Sequence, residues 1–184
     1  DAMARVLTLE NGKTLAESKT EIDSAIREMD FQINEGLRMG GEQLPSSSDG
    51  VFAYASRAPL GVVSVISPWN FPFNVPGRKG TPALISGNTV VFKPASLTPQ
   101  TGHAFTRLFV DAGLPAGVWN FITGSGGTVG EALTVDPRIK GISFTGSTAV
   151  GRRIHEKAAK ILARTQLEMG GKNPLVVLAD ADLD

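Results

Sequence analysis

The sequence contains no cysteine, and this absence excludes two kinds of structure at once. Neither a disulfide bond nor a thiolate metal site can form within these 184 residues. The two histidines, His103 and His155, are too few to hold a zinc ion on their own. We therefore predict a protein without a metal site.

An excess of charge and a long apolar run are also absent. The chain carries 18 Lys and Arg against 18 Asp and Glu, so its net charge favours neither nucleic acid nor an anionic membrane as a partner. Its longest apolar runs, residues 61–66 and 175–179, are too short to cross a bilayer, and no apolar signal segment opens the chain. With 41% hydrophobic residues, the sequence predicts one well-buried, cytoplasmic α/β domain.

The first third of the chain is predicted to contain two helices and two strands. Residues 1–9 form the first helix, and residues 15–37 form a long second one. Its apolar residues recur at steps of three, four or seven and should share one buried face: Leu15, Ile22, Ile26, Met29, Ile33 and Leu37. After a polar loop at residues 44–50, residues 51–56 and 60–66 are predicted as two consecutive strands.

Helix-like and strand-like segments alternate from Gly61 onward. The predicted strands are short and apolar, at residues 62–66, 89–92, 118–122, 141–144, 165–168 and 175–178. The predicted helices lie at residues 74–86, 100–112, 128–135 and 148–162. This alternation predicts an open parallel sheet with helices on both faces. Such a sheet binds ligands where its strands end, so the residues that follow each strand are the candidates for function.

Two polar residues follow predicted strands in settings that suit catalysis. Pro68 and Pro72 bracket Asn70 in a rigid turn, whose amide would either stabilise a developing oxyanion or only close the turn. Glu168 precedes two glycines, which leave its carboxylate room to act as a general base. Alternatively, Glu168 pairs with a nearby Lys or Arg at the surface.

Three other segments after strands suit a phosphate or a sugar. Lys93 leaves its strand at the sheet edge, where it would reach ribose hydroxyls or a phosphate, or would be solvated. The glycine-rich residues 123–130 would bring backbone amides close to a phosphate, although a plain glycine-rich turn explains them as well. Ser147 is a natural helix N-cap, and the amides exposed there favour an anion.

Four motifs in one order carry a specific resemblance. They are Pro-Trp-Asn-Phe-Pro at residues 68–72, Lys-Pro-Ala-Ser at 93–96, Phe-Thr-Gly-Ser at 144–147 and Glu-Met-Gly-Gly-Lys at 168–172. In this spacing they resemble the aldehyde dehydrogenase superfamily, and the resemblance covers essentially the whole chain. It implies a Rossmann-like NAD(P)-binding domain at residues 61–184, preceded by helices of the cofactor domain at 1–50 and one strand of an oligomerisation hairpin at 51–60. It also implies a homo-oligomer for the full-length protein and an aldehyde as the substrate.

The resemblance implies roles for individual residues as well. In the family, the position of Asn70 stabilises the oxyanion, that of Glu168 activates water for deacylation, and that of Lys79 belongs to a proton relay. Lys93 would contact the adenosine ribose, and Val150 would pack by the adenine. The full set that would border NAD or NADP is Trp69, Lys93, Ser96, Gly124, Gly130, Gly146, Ser147, Val150 and Gly170.

The largest departure from the family is the missing nucleophile. The family uses a cysteine in a separate catalytic domain beyond the position of Glu168, and its acyl transfer needs that thiolate. These 184 residues contain no cysteine, so we expect this chain by itself to be inactive. The sequence leaves open whether it is a fragment, an incomplete form of the protein or the product of a degenerate gene. A non-catalytic dinucleotide-binding or assembly module is an alternative, whereas Trp69 and Asn70 together with residues 168–172 argue against an acyl-phosphate reductase.

Four side chains indicate the cofactor and the substrate. Family members restricted to NAD often have a glutamate where Ser96 lies, whereas a serine beside Lys93 leaves space for a 2′-phosphate, so NADP should be accepted. Asn74 and Arg78 are one helical turn apart and would both face the aldehyde. Arginine suits a substrate carboxylate, and the pair resembles dehydrogenases of acidic semialdehydes such as succinate or 2-oxoglutarate semialdehyde. Alternatively, Arg78 points to solvent or to an acidic neighbour.

Overall fold

The computed structural model describes residues 1–182 and contains the alternating helices and strands that the sequence predicts. In chain order these are α1 (Ala2–Asn11), α2 (Leu15–Gly36), β1 (Glu42–Leu44), β2 (Ala53–Ala55), β3 (Val62–Ile66), α3 (Asn74–Ile85), β4 (Thr89–Lys93), α4 (Pro99–Asp111), β5 (Trp119–Phe121), a π-helical turn (Gly126–Gly130), α5 (Glu131–Val135), β6 (Ile139–Gly146), α6 (Thr148–Lys160) and β7 (Arg164–Met169). Every predicted helix is present. The predicted fold class, an open parallel sheet with helices on both faces, is confirmed.

The central sheet has five strands in the order β5-β4-β3-β6-β7, and all neighbouring pairs are parallel. The chain builds outward from β3 to β5 and then returns to place β6 beside β3, so the topological switch point lies between β3 and β6. Ile66 lies opposite both Lys93 and Phe144, and Glu168 lies one position beyond this row. The strand ends that precede or carry Asn70, Lys93 and Glu168 therefore meet at one edge of the sheet, where such sheets bind ligands.

Side chains of β3 alternate between two hydrophobic clusters, one on each side of the sheet. Val63 and Val65 pack in the cluster that α2, α3 and α4 cover, and we call this side the first face. Val62 and Ile66 pack in the cluster that α5 and α6 cover, and we call this side the second face. The two faces present different side chains to the same sheet edge.

An aromatic cluster fixes α3 and α4 on the first face. The ring of Phe92, which is fully buried, lies 6.3 Å from that of Phe105 and 5.3 Å from that of Trp119, measured between centroids. Trp119 Nε1 donates a hydrogen bond to Thr106 Oγ1 at 3.0 Å. Gly80 of α3 allows the close approach, because a Cβ there would lie 2.4 Å from Trp119. Truncating an aromatic core residue such as Phe92 to alanine costs about 3–5 kcal/mol.

The long helix α2 forms as predicted, but its buried face differs from the predicted one. Of the predicted stripe, Ile22 and Met29 pack against the first-face cluster, whereas the other four residues are exposed: Leu15, Ile26, Ile33 and Leu37. The helix instead buries Ser18, Glu21 and Ala25. Ser18 and Ala25 are small enough for neighbouring helices to approach, and Glu21 is held inside by hydrogen bonds to α3. Apolar spacing therefore predicted the helix but only part of its contact surface.

The two consecutive strands predicted at residues 51–56 and 60–66 are present in shorter form, but they lie in different sheets and do not pair with each other. β2 pairs antiparallel with β1, which extends into the predicted loop at residues 44–50. β3 joins the central sheet because it is apolar towards both faces and because Asn88 fixes its start. The Asn88 Oδ1 atom accepts hydrogen bonds from the backbone N–H groups of Leu60 and Gly61, at 2.6 and 3.0 Å. The hairpin therefore consists of β1 and β2 and lies outside the central sheet.

The prediction of a strand at residues 175–178 is wrong as well. These four apolar residues are exposed, and residues 170–182 contain no strand. The chain leaves the edge of the sheet after β7 without pairing with it, and an extended segment without a neighbouring ladder forms no strand. The domain boundary predicted at Asp184 lies outside the described residues. Within residues 1–182, no helix combines the length and the apolar character that a membrane crossing requires.

Candidate active site and cofactor cavity

The loop that carries Asn70 is held by side chains from the start of the chain. Asn11 Nδ2 donates a hydrogen bond to the Trp69 carbonyl at 2.7 Å. Lys13 Nζ donates to the Asn70 carbonyl at 2.5 Å and lies 4.0 Å from the centre of the Phe71 ring. Trp69, Asn70 and Phe71 stay exposed, and no hydrogen bond within residues 1–182 engages the Asn70 side chain. The turn is therefore closed by other groups, which leaves the amide available to a ligand.

A buried carboxylate supports the same loop from below. Glu21 Oε1 accepts hydrogen bonds from the backbone N–H groups of Phe73 and Asn74, at 2.9 and 3.1 Å, where α3 begins. Its other oxygen forms an ion pair with Lys13. A carboxylate at a helix N-terminus satisfies unpaired amides and complements the helix dipole. Glu21 and Lys13 thus form a clamp between α2 and the Asn70 loop.

Lys79 lies buried between α3 and the sheet on the first face. Its ammonium donates hydrogen bonds to Gln166 Oε1 at 2.8 Å, to Ser143 Oγ at 3.2 Å and to the Phe144 carbonyl at 3.2 Å. Burial lowers the pKa of Lys79 to about 8, and the nearby charge of Glu168 opposes that decrease. A lysine with such a pKa exchanges its proton near neutral pH more readily than an exposed one.

Glu168 lies at the end of β7 on the same face as Lys79. Residues two apart in a strand share a face, so Glu168 follows Gln166, which contacts the Lys79 ammonium. The Glu168 carboxylate is exposed, and its charge acts on both Lys79 and Arg78. No hydrogen bond within residues 1–182 holds this carboxylate. The structure therefore brings Glu168, Lys79 and Arg78 to one side of the sheet edge.

A cavity of about 540 Å³ opens between α2 and α3 on this first face. We call it the first-face cavity, and its lining residues are Lys13, Ala16, Glu17, Thr20, Glu21, Ser24, Phe71, Asn74, Val75 and Arg78. Both predicted substrate residues are present in this lining. Asn74 is buried and Arg78 is exposed, so the cavity has a polar floor and a charged rim.

Arg78 has an acidic neighbour, as one of the two interpretations of the sequence expected. Its Nε atom lies 2.6 Å from Glu28 Oε1, and its Nη2 atom donates to Glu28 Oε2 at 2.8 Å. The pair lies between α2 and α3, where Gln32 Nε2 also donates to the Arg78 carbonyl at 3.0 Å. Glu28 thus occupies one edge of the guanidinium and fixes its plane.

A second cavity, of about 250 Å³, lies at the sheet edge on the second face. We call it the second-face cavity, and its lining residues are Ile66, Lys93, Gly126, Gly127, Gly130, Glu131, Thr134, Phe144, Val150, Arg153, Ile154 and Lys157. The structure thus brings together three of the predicted cofactor residues, namely Lys93, Gly130 and Val150. Those that lie outside this lining are Trp69, Ser96, Gly124, Gly146, Ser147 and Gly170.

The surroundings of Lys93 indicate whether a dinucleotide suits this cavity. The residue is only 4% exposed, and its ammonium donates one hydrogen bond, to the Pro94 carbonyl at 2.8 Å. No carboxylate within residues 1–182 pairs with it, and burial lowers its pKa. A buried cation with unused donors fits a ligand that brings hydroxyl groups or negative charge. The residues present therefore fit a nucleotide.

The loops around the cavity are shaped by local hydrogen bonds and by one glycine. Ser147 caps α6, with its Oγ accepting from the Val150 N–H at 3.4 Å. Ser96 Oγ donates to the Gly124 carbonyl at 3.3 Å and so links the loop after β4 to the glycine-rich turn. Gly124 has a φ of +150°, and a Cβ there would lie 2.3 Å from Val129 Cγ2. Only glycine fits this position.

The sequence analysis did not identify several charged residues of these sites. They are Lys13, Glu21, Glu28, Glu131, Arg153 and Lys157. Arg153 and Lys157 had a local signal, because two cations four residues apart follow the predicted N-cap Ser147 on one helix face. The three glutamates had none, since their partners are distant in the sequence.

Comparison with known proteins shows which family this chain resembles in sequence and in structure. The sequence profile of the aldehyde dehydrogenase family matches residues 1–184. The chain is 45% identical over 184 residues to succinate-semialdehyde dehydrogenase (NADP(+)) of Escherichia coli strain K12, a match that covers 100% of this chain and 38% of that protein. It is 46% identical over 184 residues to alpha-ketoglutaric semialdehyde dehydrogenase of Bacillus subtilis strain 168, again covering 100% of this chain and 38% of the relative. The crystal structure of succinate-semialdehyde dehydrogenase from Burkholderia pseudomallei superposes with a TM-score of 0.92 at 40% identity, over 100% of this chain and 38% of that one.

An open parallel sheet with a cation-lined cavity beside its switch point is the architecture of nucleotide-binding α/β proteins. Within that class, the profile match over the full sequence shows that this chain belongs to the aldehyde dehydrogenase family. The resemblance of its four strand-end motifs is thereby confirmed. The chain spans about 38% of the length of these relatives.

Proposed function

We propose that this chain forms the NAD(P)-binding part of an aldehyde dehydrogenase that oxidises an acidic semialdehyde to a carboxylate. The observation that carries the proposal is the first-face cavity, in which Arg78 and the buried Asn74 lie on the helix that directly follows Asn70. The relatives named for succinate and alpha-ketoglutaric semialdehyde support the same substrate class. A cytoplasmic location stays a prediction of the same kind.

Three groups of this chain would take part in the reaction at the aldehyde. The Asn70 amide would donate a hydrogen bond to the developing oxyanion, from a loop that the Lys13–Glu21 clamp holds rigid. Glu168 would take a proton from the water that attacks the acyl intermediate. Lys79, with its pKa of about 8, would exchange protons beside Glu168. The attacking thiolate is not among these 184 residues, which contain no cysteine.

The second-face cavity would hold the adenosine end of the cofactor. Lys93 would meet the ribose, Val150 would pack against the adenine, and the amides at Ser147 would face the pyrophosphate. NAD or NADP, when bound, supplies the hydride acceptor for the oxidation.

The substrate carboxylate would bind the part of Arg78 that Glu28 leaves unused. Arginine has five N–H donors in a fixed fork, and Glu28 engages the edge formed by Nε and Nη2. The end formed by Nη1 and Nη2 still has donors for a second carboxylate. Glu28 would therefore orient Arg78 rather than block it, and the cavity would accept one acidic group.

Replacing Arg78 in the full-length enzyme tests this proposal. We expect Arg78→Leu to lower kcat/KM for succinate or 2-oxoglutarate semialdehyde at least about tenfold, because a charged hydrogen bond to a desolvated carboxylate contributes roughly 2–5 kcal/mol. The rate with butanal, which has no carboxylate, should hardly change. Arg27→Leu, which removes an exposed arginine beside Glu28 on α2, is the matched control and should leave both substrates unaffected. Equal losses on the acidic and the neutral aldehyde would contradict the proposal.

We propose further that the full-length protein forms a homo-oligomer through the β1–β2 hairpin. This hairpin has only two short strands, and its aromatic residues Phe52 and Tyr54 are 68% and 65% exposed. An isolated hairpin is marginal in water and gains stability by pairing with further structure. Light scattering of the full-length protein should give a dimer or a tetramer, and Phe52→Ser with Tyr54→Ser should shift it towards smaller species. A wild-type monomer would contradict this interface.

A further inference from the structure

We propose that Gln166 of β7 is a positioning residue that joins Lys79 to Glu168. Its amide oxygen holds the Lys79 ammonium, and its amide nitrogen donates a hydrogen bond to the Glu168 carboxylate. The inference rests on the proposed function in taking Glu168 as the general base. Gln166 acts through these two groups and not on the aldehyde itself.

The Lys79 ammonium is held on three sides. An ammonium has three N–H donors and no acceptor. Here the donors meet Gln166 Oε1 at 2.8 Å, Ser143 Oγ at 3.2 Å and the Phe144 carbonyl at 3.2 Å. Gln166 makes the shortest of these three contacts, and of the three acceptors it alone lies on β7, the strand that carries Glu168. Gln166 is therefore the direct link between the lysine and that strand.

The chemistry of its neighbours fixes which way the Gln166 amide points. Because Lys79 offers only donors, the amide must turn its oxygen towards the ammonium. The Ser143 hydroxyl, which accepts from Lys79, donates its own proton to the same oxygen at 2.6 Å. Both lone pairs of that oxygen are thereby used. The Nε2 group keeps both of its donors, since no hydrogen bond within residues 1–182 uses them.

The Glu168 carboxylate is the acceptor that fits these donors. Gln166 and Glu168 are two residues apart on β7, so they project from the same face with about 6.5–7 Å between them along the strand. Two long side chains that lie side by side can span this separation. The carboxylate is exposed, and no hydrogen bond within the described residues holds it. Donation from Nε2 would therefore fix the general base beside Lys79.

The charged groups around this network lie on α3 and β7. Burial lowers the pKa of Lys79 to about 8, the charge of Glu168 opposes the decrease, and the neighbouring charge of Arg78 adds to it. Arg164 lies on the same face of β7, two residues before Gln166. Gln166 itself is uncharged. Its replacement by glutamate therefore keeps an acceptor for the ammonium, adds a negative charge beside it and removes the Nε2 donor.

Chemical labelling of the full-length enzyme tests the contact with Lys79 without any turnover. A trace of acetic anhydride acetylates only unprotonated amines, so the rate at Lys79 as a function of pH gives the midpoint of its titration. Mass spectrometry reads this rate relative to that of Lys140, an exposed lysine. Gln166→Met removes the acceptor and should move the midpoint down by about one pH unit. Gln166→Glu should move it up by about one pH unit. Identical midpoints in the wild type and both variants would overturn the contact.

Stopped-flow measurement of cofactor reduction tests the contact with Glu168. Deacylation is the step in which Glu168 acts as the base, so loss of the Nε2 donor should slow that step alone. With succinate semialdehyde, Gln166→Met and Gln166→Glu should both keep the wild-type rate of the first turnover. Their steady-state rates should fall about tenfold, because the base is no longer held in place. A wild-type steady-state rate in Gln166→Glu would contradict the contact with Glu168.

Thr165→Val is the matched control, because it removes a hydrogen-bonding side chain from the same strand on the opposite face. The Thr165 hydroxyl lies 2.9 Å from His155 Nδ1. This variant should leave the labelling midpoint and both rates unchanged, and losses equal to those of Gln166→Met would contradict a specific role for Gln166. Failure of the proposed function would appear as a wild-type enzyme without turnover, whereas failure of the contact between Gln166 and Lys79 would appear in the labelling.

Discussion

In the first-face cavity every charged lining residue has a partner within the chain, whereas the second-face cavity holds three cations against one carboxylate. On the first face, Lys13 pairs with Glu21, Arg78 pairs with Glu28, and Glu17 caps its own helix. These charges hold helices and a loop in place before any ligand arrives. On the second face, Arg153 and Lys157 share the single carboxylate of Glu131, and Lys93 has no carboxylate partner among residues 1–182. The paired charges of the first face therefore hold the fold in place, and we expect the excess positive charge of the second face to attract an anionic ligand.

The strongest test of this difference is the buried carboxylate of the first face. In the full-length enzyme, Glu21→Gln should lower stability by about 3 kcal/mol, because it leaves the Lys13 ammonium without its buried partner. It should also lower kcat for every aldehyde alike, since the Asn70 loop loses its clamp. Thermal unfolding and steady-state rates measure the two effects. Asp23→Asn, an exposed carboxylate on the same helix, is the control and should change neither. A fully stable Glu21→Gln protein would show that the clamp is not structural.

An intermediate effect is expected from the pH dependence of Lys79. Its pKa in the folded protein is about 8, below the ordinary value of 10.5, so protonation opposes folding. That destabilisation is fully present below pH 8 and disappears as the pH rises towards 10.5, because the unfolded chain then holds more protons than the folded one. Wild-type stability should therefore gain a contribution between these pH values that Lys79→Met lacks. Denaturant midpoints for both proteins at several pH values measure it, and parallel profiles would contradict the lowered pKa.

The smallest effect is expected on the second face. Glu131 is partly exposed, and its two ion pairs lie at the surface of the cavity. Such pairs contribute less than about 1 kcal/mol each, so Glu131→Gln should hardly change the unfolding midpoint. Glu131→Gln and Glu21→Gln make the same chemical change at a partly exposed and at a buried ion pair. The difference between their unfolding midpoints therefore measures how much burial contributes. A loss of stability as large as that of Glu21→Gln would remove the distinction between the faces.

The secondary structure and the sheet edge were open to prediction because their signals are local. The helical repeat of α2 and the short apolar strands from β3 to β7 depend on neighbouring residues, and each was predicted at nearly its observed position. The partner of β2 was not predicted, because β1 is a short polar strand at residues 42–44 without the apolar signal of the other strands. The apolar residues 175–178 look like a strand by composition, yet no neighbouring strand pairs with them.

For the candidate sites, the sequence by itself determined which side chains stand after the strands. Asn70, Lys93 and Glu168 are fixed at the sheet edge by the length of the strands that precede or carry them, and a parallel sheet collects strand ends at one edge. Only the tertiary structure decided which charges meet. Glu21 caps the start of α3 from 52 residues away, and Glu28 binds Arg78 from 50 residues away. Electrostatic pairing depends on distance in space and on burial, and neither is encoded in the local spacing that a sequence displays.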